Sequence, residues 1–423
     1  MLRRSPELPP QWLTDIDWQK AQDLSERHGD SFFVLDLDRL RANVETWREA
    51  FRTEYPDTDI AFPYKANNLP AICESMAVLG VRAEVGSPME WWLAGHVGVN
   101  PRDVIYNGSG RPAASVVEAL VSGATVIVDS PRDARIVAEA ARSNRGRRFD
   151  VGIRCNLPAP GEPAGRLGLV PQGAQWEEAV ATLSDVENLR IEGLHCHLLG
   201  GDPAEFRRRI SALLEVASDV FRTRSPGFLD IGGGFYEESS EQWTAPGPKP
   251  TPADYARAVG EPLRQAFREA TPRPTLVIEP GRALVTTAMT LVSRVMDVKP
   301  GPRRPVAVVA GSIFHTSPNT RRTDFPVHVL ATSRCETPLR HDHFDVAGSS
   351  PMPDEWLALR VDGTVAEGDF VVFRNVGAYS VSVRTVFTHP SPAVLGHAAR
   401  TGFTELAPAG TPEQILGPAG EGT

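Results

Sequence analysis

Residues 59–98 read DIAFPYKANNLPAICESMAVLGVRAEVGSPMEWWLAGHVG, and the fold is decided there. Two short apolar runs, DIAFPYK (59–65) and RAEVGS (82–87), end in polar residues. Each is followed by a helix-like segment, PAICESMAVLG and PMEWWLAGHVG. Proline opens both segments and glycine closes them, the asymmetry expected of helix starts and ends. The unit recurs as far as residue 285. Further strand candidates are DVIYNG (103–108), TVIVDS (125–130), FDVGIRCN (149–156), LRIEGLHCHLL (189–199), FLDIGGG (228–234) and TLVIEPG (275–281). Among them lie helical patterns such as RPAASVVEALVSG, PRDARIVAEAARSN and PAEFRRRISALLEVASDVF. Near-continuous apolar strands alternating with helices imply a parallel sheet covered by helices. Eight such units match an α/β fold of the (β/α)8 TIM-barrel type; a doubly wound open sheet is the plainer alternative.

Residues 286–400 read differently. MTLVSRVMDV, RPVAVVAGSIF, FPVHVLA, WLALRVDGTV, GDFVVFRNVGAY and SVSVRTVF are strand-like, with turn residues between them. They predict a second, all-β domain, a β-barrel or sandwich. The expected organisation is an N-terminal segment 1–37, partly joining the β domain through SFFVLDLD (31–38), then a barrel over 38–285. The β domain follows over 286–400, and residues 401–423, rich in Gly, Pro and Glu, are expected to form a mobile tail. A length of 423 residues with 41% apolar and 23% charged residues is ample for such cores.

Other classes are disfavoured. The net charge is −9 with no basic run, so nucleic acid is not an expected partner. No apolar segment approaches the roughly 18 residues of a membrane helix. The start, MLRRSPELPPQW, carries arginines with no apolar segment behind them, unlike a secretory signal. Cys73, Cys155, Cys196 and Cys335 are scattered, which fits reduced thiols in a cytoplasmic protein. Without CxxC or HExxH, no metal is expected.

In barrels of this kind the active site lies at the carboxyl ends of the strands. Those ends carry Lys65; Glu84 and Ser87; Asn107; Asp129; Arg154 and Asn156; His195 and His197; Gly232, Gly233 and Gly234; and Glu279 with Arg282. Any one of them alone reads as a solvated cap, but all eight ends being innocent together is a poor explanation. The glycine run alone could be a tight turn. Beside EPGR on the next strand, it reads as a phosphate cradle of bare backbone N–H groups. A lysine, a phosphate cradle and a carboxylate suggest pyridoxal 5'-phosphate (PLP). The amine would form a Schiff base with the aldehyde, and Glu279 would keep the pyridine nitrogen protonated. His197 could stack on the ring.

These motifs resemble the fold-type III PLP enzymes, the ornithine and diaminopimelate decarboxylase family that shares its barrel with alanine racemase. The resemblance covers about residues 31–395. It rests on an ordered set: YKAN (64–67), EVGSPME (84–90), GLHCH (193–197), LDIGGGF (229–235), EPGR (279–282) and GAY (377–379). It implies that Lys65 is the Schiff-base lysine and that His197 stacks on the cofactor. Gly232, Gly233, Gly234, Gly281 and Arg282 would line the phosphate, Glu279 would pair with the ring nitrogen, and Tyr379 would reach the phosphate from the β domain. The plainer reading of Tyr379 is a packed aromatic. Arg154 and Glu84 would lie in the barrel mouth, Glu84 where the family usually has aspartate. A head-to-tail homodimer with shared sites is also implied. Glu279 favours decarboxylation, since alanine racemases of this fold place arginine opposite the ring nitrogen.

The chain departs from the family at three places. The family's decarboxylases carry a cysteine in a loop that appears here as GSSPMPDE (348–355). Pro351 stands at the cysteine position and can neither donate a proton nor act as a nucleophile. Asp354 or Glu355 would stand for the loop's acidic residue, reaching the partner's substrate. Leu199 and Gly200 replace the usual Gly-Ser beside the phosphate, and Ala310 replaces an aspartate before glycine. His315, Arg321 and Arg322, which follow Ala310, could bind an acidic distal group, with a solvated loop as the plainer reading.

The expectation is a PLP-dependent carboxy-lyase acting on an α-amino acid, a modified one included, through a Schiff base with the substrate and a Cα carbanion. Alternatives are racemisation or epimerisation, decarboxylation coupled to other chemistry, and a non-catalytic PLP-binding homologue that acts as a binding partner. A carboxylate-pair hydrolase using Glu84 and Glu279 leaves Lys65 and the glycines unexplained.

Overall fold

A computed structural model describes residues 13, 16–158, 165–198, 201–236, 249–316, 323–331 and 343–417. Leu199, Gly200, Arg321, Arg322 and Cys335 lie outside the described residues. The chain divides into two compact units, Asn43–Ala283 and a second built from Met1–Ala42 with Leu284–Thr423.

The second unit begins with helix α1 (Trp18–His28) and strand β1 (Ser31–Asp36). Helix α2 (Leu37–Glu54) then leads into the first unit. There the strands are β2 (Thr58–Pro63), β3 (Arg82–Val85), β4 (Val104–Tyr106), β5 (Thr125–Val128), β6 (Phe149–Arg154), β7 (Leu189–His195), β8 (Phe228–Asp230) and β9 (Thr275–Ile278). They pair in chain order and close on themselves, so the barrel is observed and the open sheet is excluded. Helices α3 (Pro70–Val78), α4 (Pro88–His96), α5 (Ala113–Ser122), α6 (Pro131–Ser143), α7 (Ala174–Ser184), α8 (Pro203–Val220) and α9 (Pro252–Ala266) alternate with the strands. Local chemistry sets their starts. Ser87 and Ser130 each precede a proline and accept the backbone N–H three residues on, capping α4 and α6.

Inside the barrel, Ala61, Ile105, Ile127 and Val277 form a buried layer with Phe228 packed against it. The phenyl ring needs bare backbone beside it. A Cβ on Gly193 would fall 2.5 Å from Phe228 Cδ1, and one on Gly152 would fall 2.8 Å from Phe228 Cζ. Neighbouring strands therefore carry glycine so that β8 can plug the barrel with an aromatic ring.

The second unit continues with β10 (Met289–Lys299), β11 (Val306–Val309), β12 (Val327–Leu330), β13 (His343–Ala347), β14 (Trp356–Asp362), β15 (Phe370–Phe373), β16 (Ala393–Ala398) and β17 (Gly402–Ala407). One mixed sheet runs β14-β13-β11-β10-β1-β16-β17, with β15 pairing β10 and β12. Strand β1 lies antiparallel to β10 and parallel to β16. Helix α1 covers part of this sheet, its Ala21 and Leu24 joining Phe32, Val34, Val292 and Phe370 in one apolar cluster.

Several sequence expectations need correction. SVSVRTVF (380–387) is a run of turns and irregular chain rather than a strand. Asn375 and Tyr379, with φ of 62° and 61°, bend the backbone into the left-handed region just before it. Residues 402–407 are not a loose tail, because they pair with β16. Strands β2, β7 and β8 end earlier than their apolar runs. Lys65 thus lies in a single 3-10 turn, Tyr64–Ala66, just past β2.

Candidate active site at the carboxyl ends of the barrel strands

Register brings the first pair together. Pro63 at the end of β2 lies opposite Glu84 on β3. The Tyr64–Ala66 turn then carries Lys65 back across β3, and Lys65 Nζ contacts Glu84 Oε2. The lysine side chain is 48% exposed and that of Glu84 only 4%. Burial pushes the Glu84 carboxyl up to about 7, with Lys65 opposing the rise and Glu279 adding to it. Gly281, after β9, leaves room for this turn: a Cβ there would lie 2.8 Å from Pro63 Cγ and 2.9 Å from Ala66 Cβ.

A second group gathers on β7, β8 and β9. His195 is the register partner of Arg154 on β6 and of Asp230 on β8. One ligating atom from each of His195, Asp230 and Glu279 lies within 4.8 Å of the others. His195 Nε2 is 3.3 Å from Glu279 Oε1, and His197 Nδ1 is 3.5 Å from Oε2. Asn107 Nδ2 also approaches His195 Nε2, at 3.2 Å. Even so, neither Glu279 carboxylate oxygen accepts a well-directed hydrogen bond among the described residues. Burial alone would raise the Glu279 carboxyl, but His195, with His197 and Lys65, holds it well below the usual range. Burial lowers the pKa of His195 to about 4, against the pull of Glu279. Asp230 is pushed well above its ordinary value by burial and then by the Glu279 charge. Asp230 and Glu279 are therefore driven apart, and Glu279 carries the negative charge.

The glycine loop closes against this group. Gly232 has φ of 66°, and a Cβ there would fall 2.7 Å from Cys196 O. A Cβ on Gly233 would fall 2.4 Å from Glu279 O. Gly233 N donates to His197 Nδ1 at 3.1 Å, which orients that ring. Gly234 also has positive φ, 96°. Buried Arg209 on α8 clamps the loop from behind, donating to Ile231 O at 2.9 Å, Gly233 O at 2.8 Å and Leu198 O at 3.2 Å. Arg154 stands at its expected strand end, with Nη1 3.8 Å from Asp129 Oδ1. Arg282 opens a short helix, Arg282–Val285.

The barrel unit thus brings together Lys65, Glu84, His197, Gly232, Gly233 and Glu279. Tyr379, Pro351, Asp354 and Glu355 belong to the other unit. Tyr379 is half-buried, and Pro351 and Asp354 are exposed. Glu355 is buried, accepting from Ile313 N at 3.0 Å and contacting Ser350 Oγ. Within its own chain it braces the loop that also carries Pro351 and Asp354. His315 is buried too, with its pKa lowered to about 4 by burial and by His389, so it is not part of a solvated loop.

The donors and acceptors suit PLP. The two carboxylate oxygens of Glu279, buried and without a directed donor, match a protonated ring nitrogen, and a reachable amine stands nearby at Lys65. Comparison with known proteins agrees. Residues 37–286 match the family profile described as pyridoxal-dependent decarboxylase, pyridoxal binding domain. A diaminopimelate decarboxylase of Archaeoglobus fulgidus is 26% identical over 314 residues, covering 71% of each chain. An L-glutamyl-[BtrI acyl-carrier protein] decarboxylase of Niallia circulans is 24% identical over 412 residues, covering 93% of this chain and 94% of that one. Among solved structures, a diaminopimelate decarboxylase from M. jannaschii in complex with L-lysine has a TM-score of 0.82 at 20% identity, covering 94% of this chain and 93% of that one. Because the family profile spans more than half of its length, the chain belongs to the pyridoxal-dependent decarboxylases, which use PLP to release CO2 from amino acids.

Proposed function

We propose that this chain removes the α-carboxyl group of an amino acid, with diaminopimelate, named for several relatives, as the first substrate to try. Glu279 carries the reading: a fully buried carboxylate just past β9 whose oxygens have no directed donor among the described residues. PLP, when bound, supplies an electron sink for the pair left on Cα as CO2 departs. Lys65 Nζ would hold the cofactor through its aldehyde carbon. Glu279 would hold the proton on the ring nitrogen, and His197 would lie against the ring. Gly232, Gly233, Gly234, Gly281, Arg282 and Tyr379 take the phosphate, while Arg154 and Glu84 shape the mouth. The enzyme acts in the cytoplasm as a homodimer, the Pro351–Asp354 segment of one copy serving the site of the other.

Pro351 favours one second reading, in which the Cα carbanion is diverted towards racemisation or a coupled reaction rather than simply protonated. Purified protein is expected to show the visible band of a lysine Schiff base, and Lys65→Ala to abolish it. Colourless protein that takes up no added PLP sinks the cofactor assignment. CO2 detection with chiral analysis over a panel of amino acids, diaminopimelate included, then separates decarboxylation from racemisation.

A further inference from the structure

Once CO2 has left, Cα needs a proton, and the thiols among the described residues are poorly suited to give one. Cys73, Cys155 and Cys196 are buried, and burial drives all three thiols up. Pro351 has no proton to donate. The barrel mouth offers another source, in direct contact with the amine that the substrate displaces.

We propose that Lys65 and Glu84 return the proton together: Lys65 Nζ delivers it to Cα, and the Glu84 carboxyl recharges Lys65. The inference rests on the decarboxylase reading. The Cα–carboxyl bond breaks, CO2 leaves without the bonding pair, and that pair forms the new Cα–H bond with a proton from the Lys65 ammonium. Glu84 Oε2 passes its own proton to the resulting amine, and solvent reprotonates Glu84. No oxidant or reductant enters the balance.

Three observations support the assignment. Lys65 Nζ and Glu84 Oε2 are already in contact. Glu84 supplies that contact from a buried strand position, its side chain only 4% exposed. Burial raises the Glu84 carboxyl to about 7, with Lys65 opposing the rise and Glu279 and Glu90 adding to it. Lys65 faces it from the turn after β2, Glu279 from the end of β9 and Glu90 from α4, while Asp230 on β8 couples to it. Glu90 Oε2 is itself held by Gly86 N at 2.6 Å. A carboxyl that titrates near the working pH is the effective kind of general acid.

The test uses the full chain with Glu84→Gln and Glu84→Asp. Lys65 is one of four lysines, with Lys20, Lys249 and Lys299, so 13C-methylated lysines give a sparse NMR spectrum. In cofactor-free protein, Glu84→Gln is expected to lower the Lys65 titration midpoint by about one unit or more, and Glu84→Asp by less. An unchanged midpoint overturns the pair. With PLP and diaminopimelate, Glu84→Gln should slow CO2 release by about 10²–10⁴-fold and lose the alkaline limb of the pH profile near neutrality. Glu84→Asp should restore part of both. A Glu84→Gln enzyme with an unchanged rate and the same limb overturns the inference. If wild type releases no CO2 from any amino acid in the panel, the decarboxylase reading fails, and the NMR titration still decides whether Glu84 controls the Lys65 proton.

Discussion

Glu84 and His195 are both buried and lie in one cluster, yet burial moves their titrations in opposite directions. The His195 pKa falls from 6.5 to about 4, so the folded protein binds fewer protons there than the unfolded chain. Its contribution to stability is full above pH 6.5 and is lost as pH falls through 4, by roughly 3 kcal/mol. Glu84 runs the other way: its contribution is full below pH 4.5 and is lost as pH rises through about 7. The two windows overlap between about pH 4.5 and 6.5 and oppose each other there, so in urea unfolding of cofactor-free protein His195→Gln should make stability fall more, and Glu84→Gln less, as pH rises across that range. Identical slopes in wild type and both variants would refute the burial argument. The sequence named Lys65, Glu84, His197 and Glu279 because each closes an apolar run. It listed His195 as a strand end without giving it a role. Asp230 hid inside LDIGGG, where the glycines drew the reading. Arg209 gave no signal, because RRR on a helix reads as a solvated face; only its neighbours Arg207 and Arg208 behave so, pairing with Glu261 and Glu205.

At the scale of strands and helices, the barrel was legible because parallel strands buried on both faces leave long apolar runs, and serine-proline pairs mark the helix starts. The β unit was less legible because its strands are short and its order is not sequential. HFDVA (343–347) has only three apolar residues, yet it pairs with both β11 and β14. SVSVRTVF has the alternation of a strand, but the left-handed backbone at Asn375 and Tyr379 precedes it. The close packing of β6, β7 and β8 around Phe228 predicts a specific cost. Gly193→Ala would press a methyl group into the ring and should destabilise the barrel by about 1–3 kcal/mol, read as a lower calorimetric melting temperature. Gly193→Ala combined with Phe228→Leu should recover part of the loss. A melting point unchanged in Gly193→Ala would mean that the strands can spread.

At the scale of the whole molecule, the proposed homodimer sets the prediction. Light scattering should give about twice the 46.0 kDa chain mass. An active monomer would reject the shared-site arrangement. The sequence reaches this level only through the family resemblance, which implies the homodimer; the segment expected to serve a partner, around Pro351, has lost the residue by which it would be recognised. The Phe228 plug carries a further consequence for the site above it. With the buried layer of Ala61, Ile105, Ile127 and Val277, the partly buried ring puts hydrocarbon inside the barrel whose strand ends carry Glu279, Asp230 and Glu84. Charges there are poorly screened from below, so each feels its neighbours more strongly than it would over water. The ring that looks like ordinary packing thus works as electrical insulation, and the separation of the three carboxyls into charged and neutral members depends on the floor of the barrel staying dry.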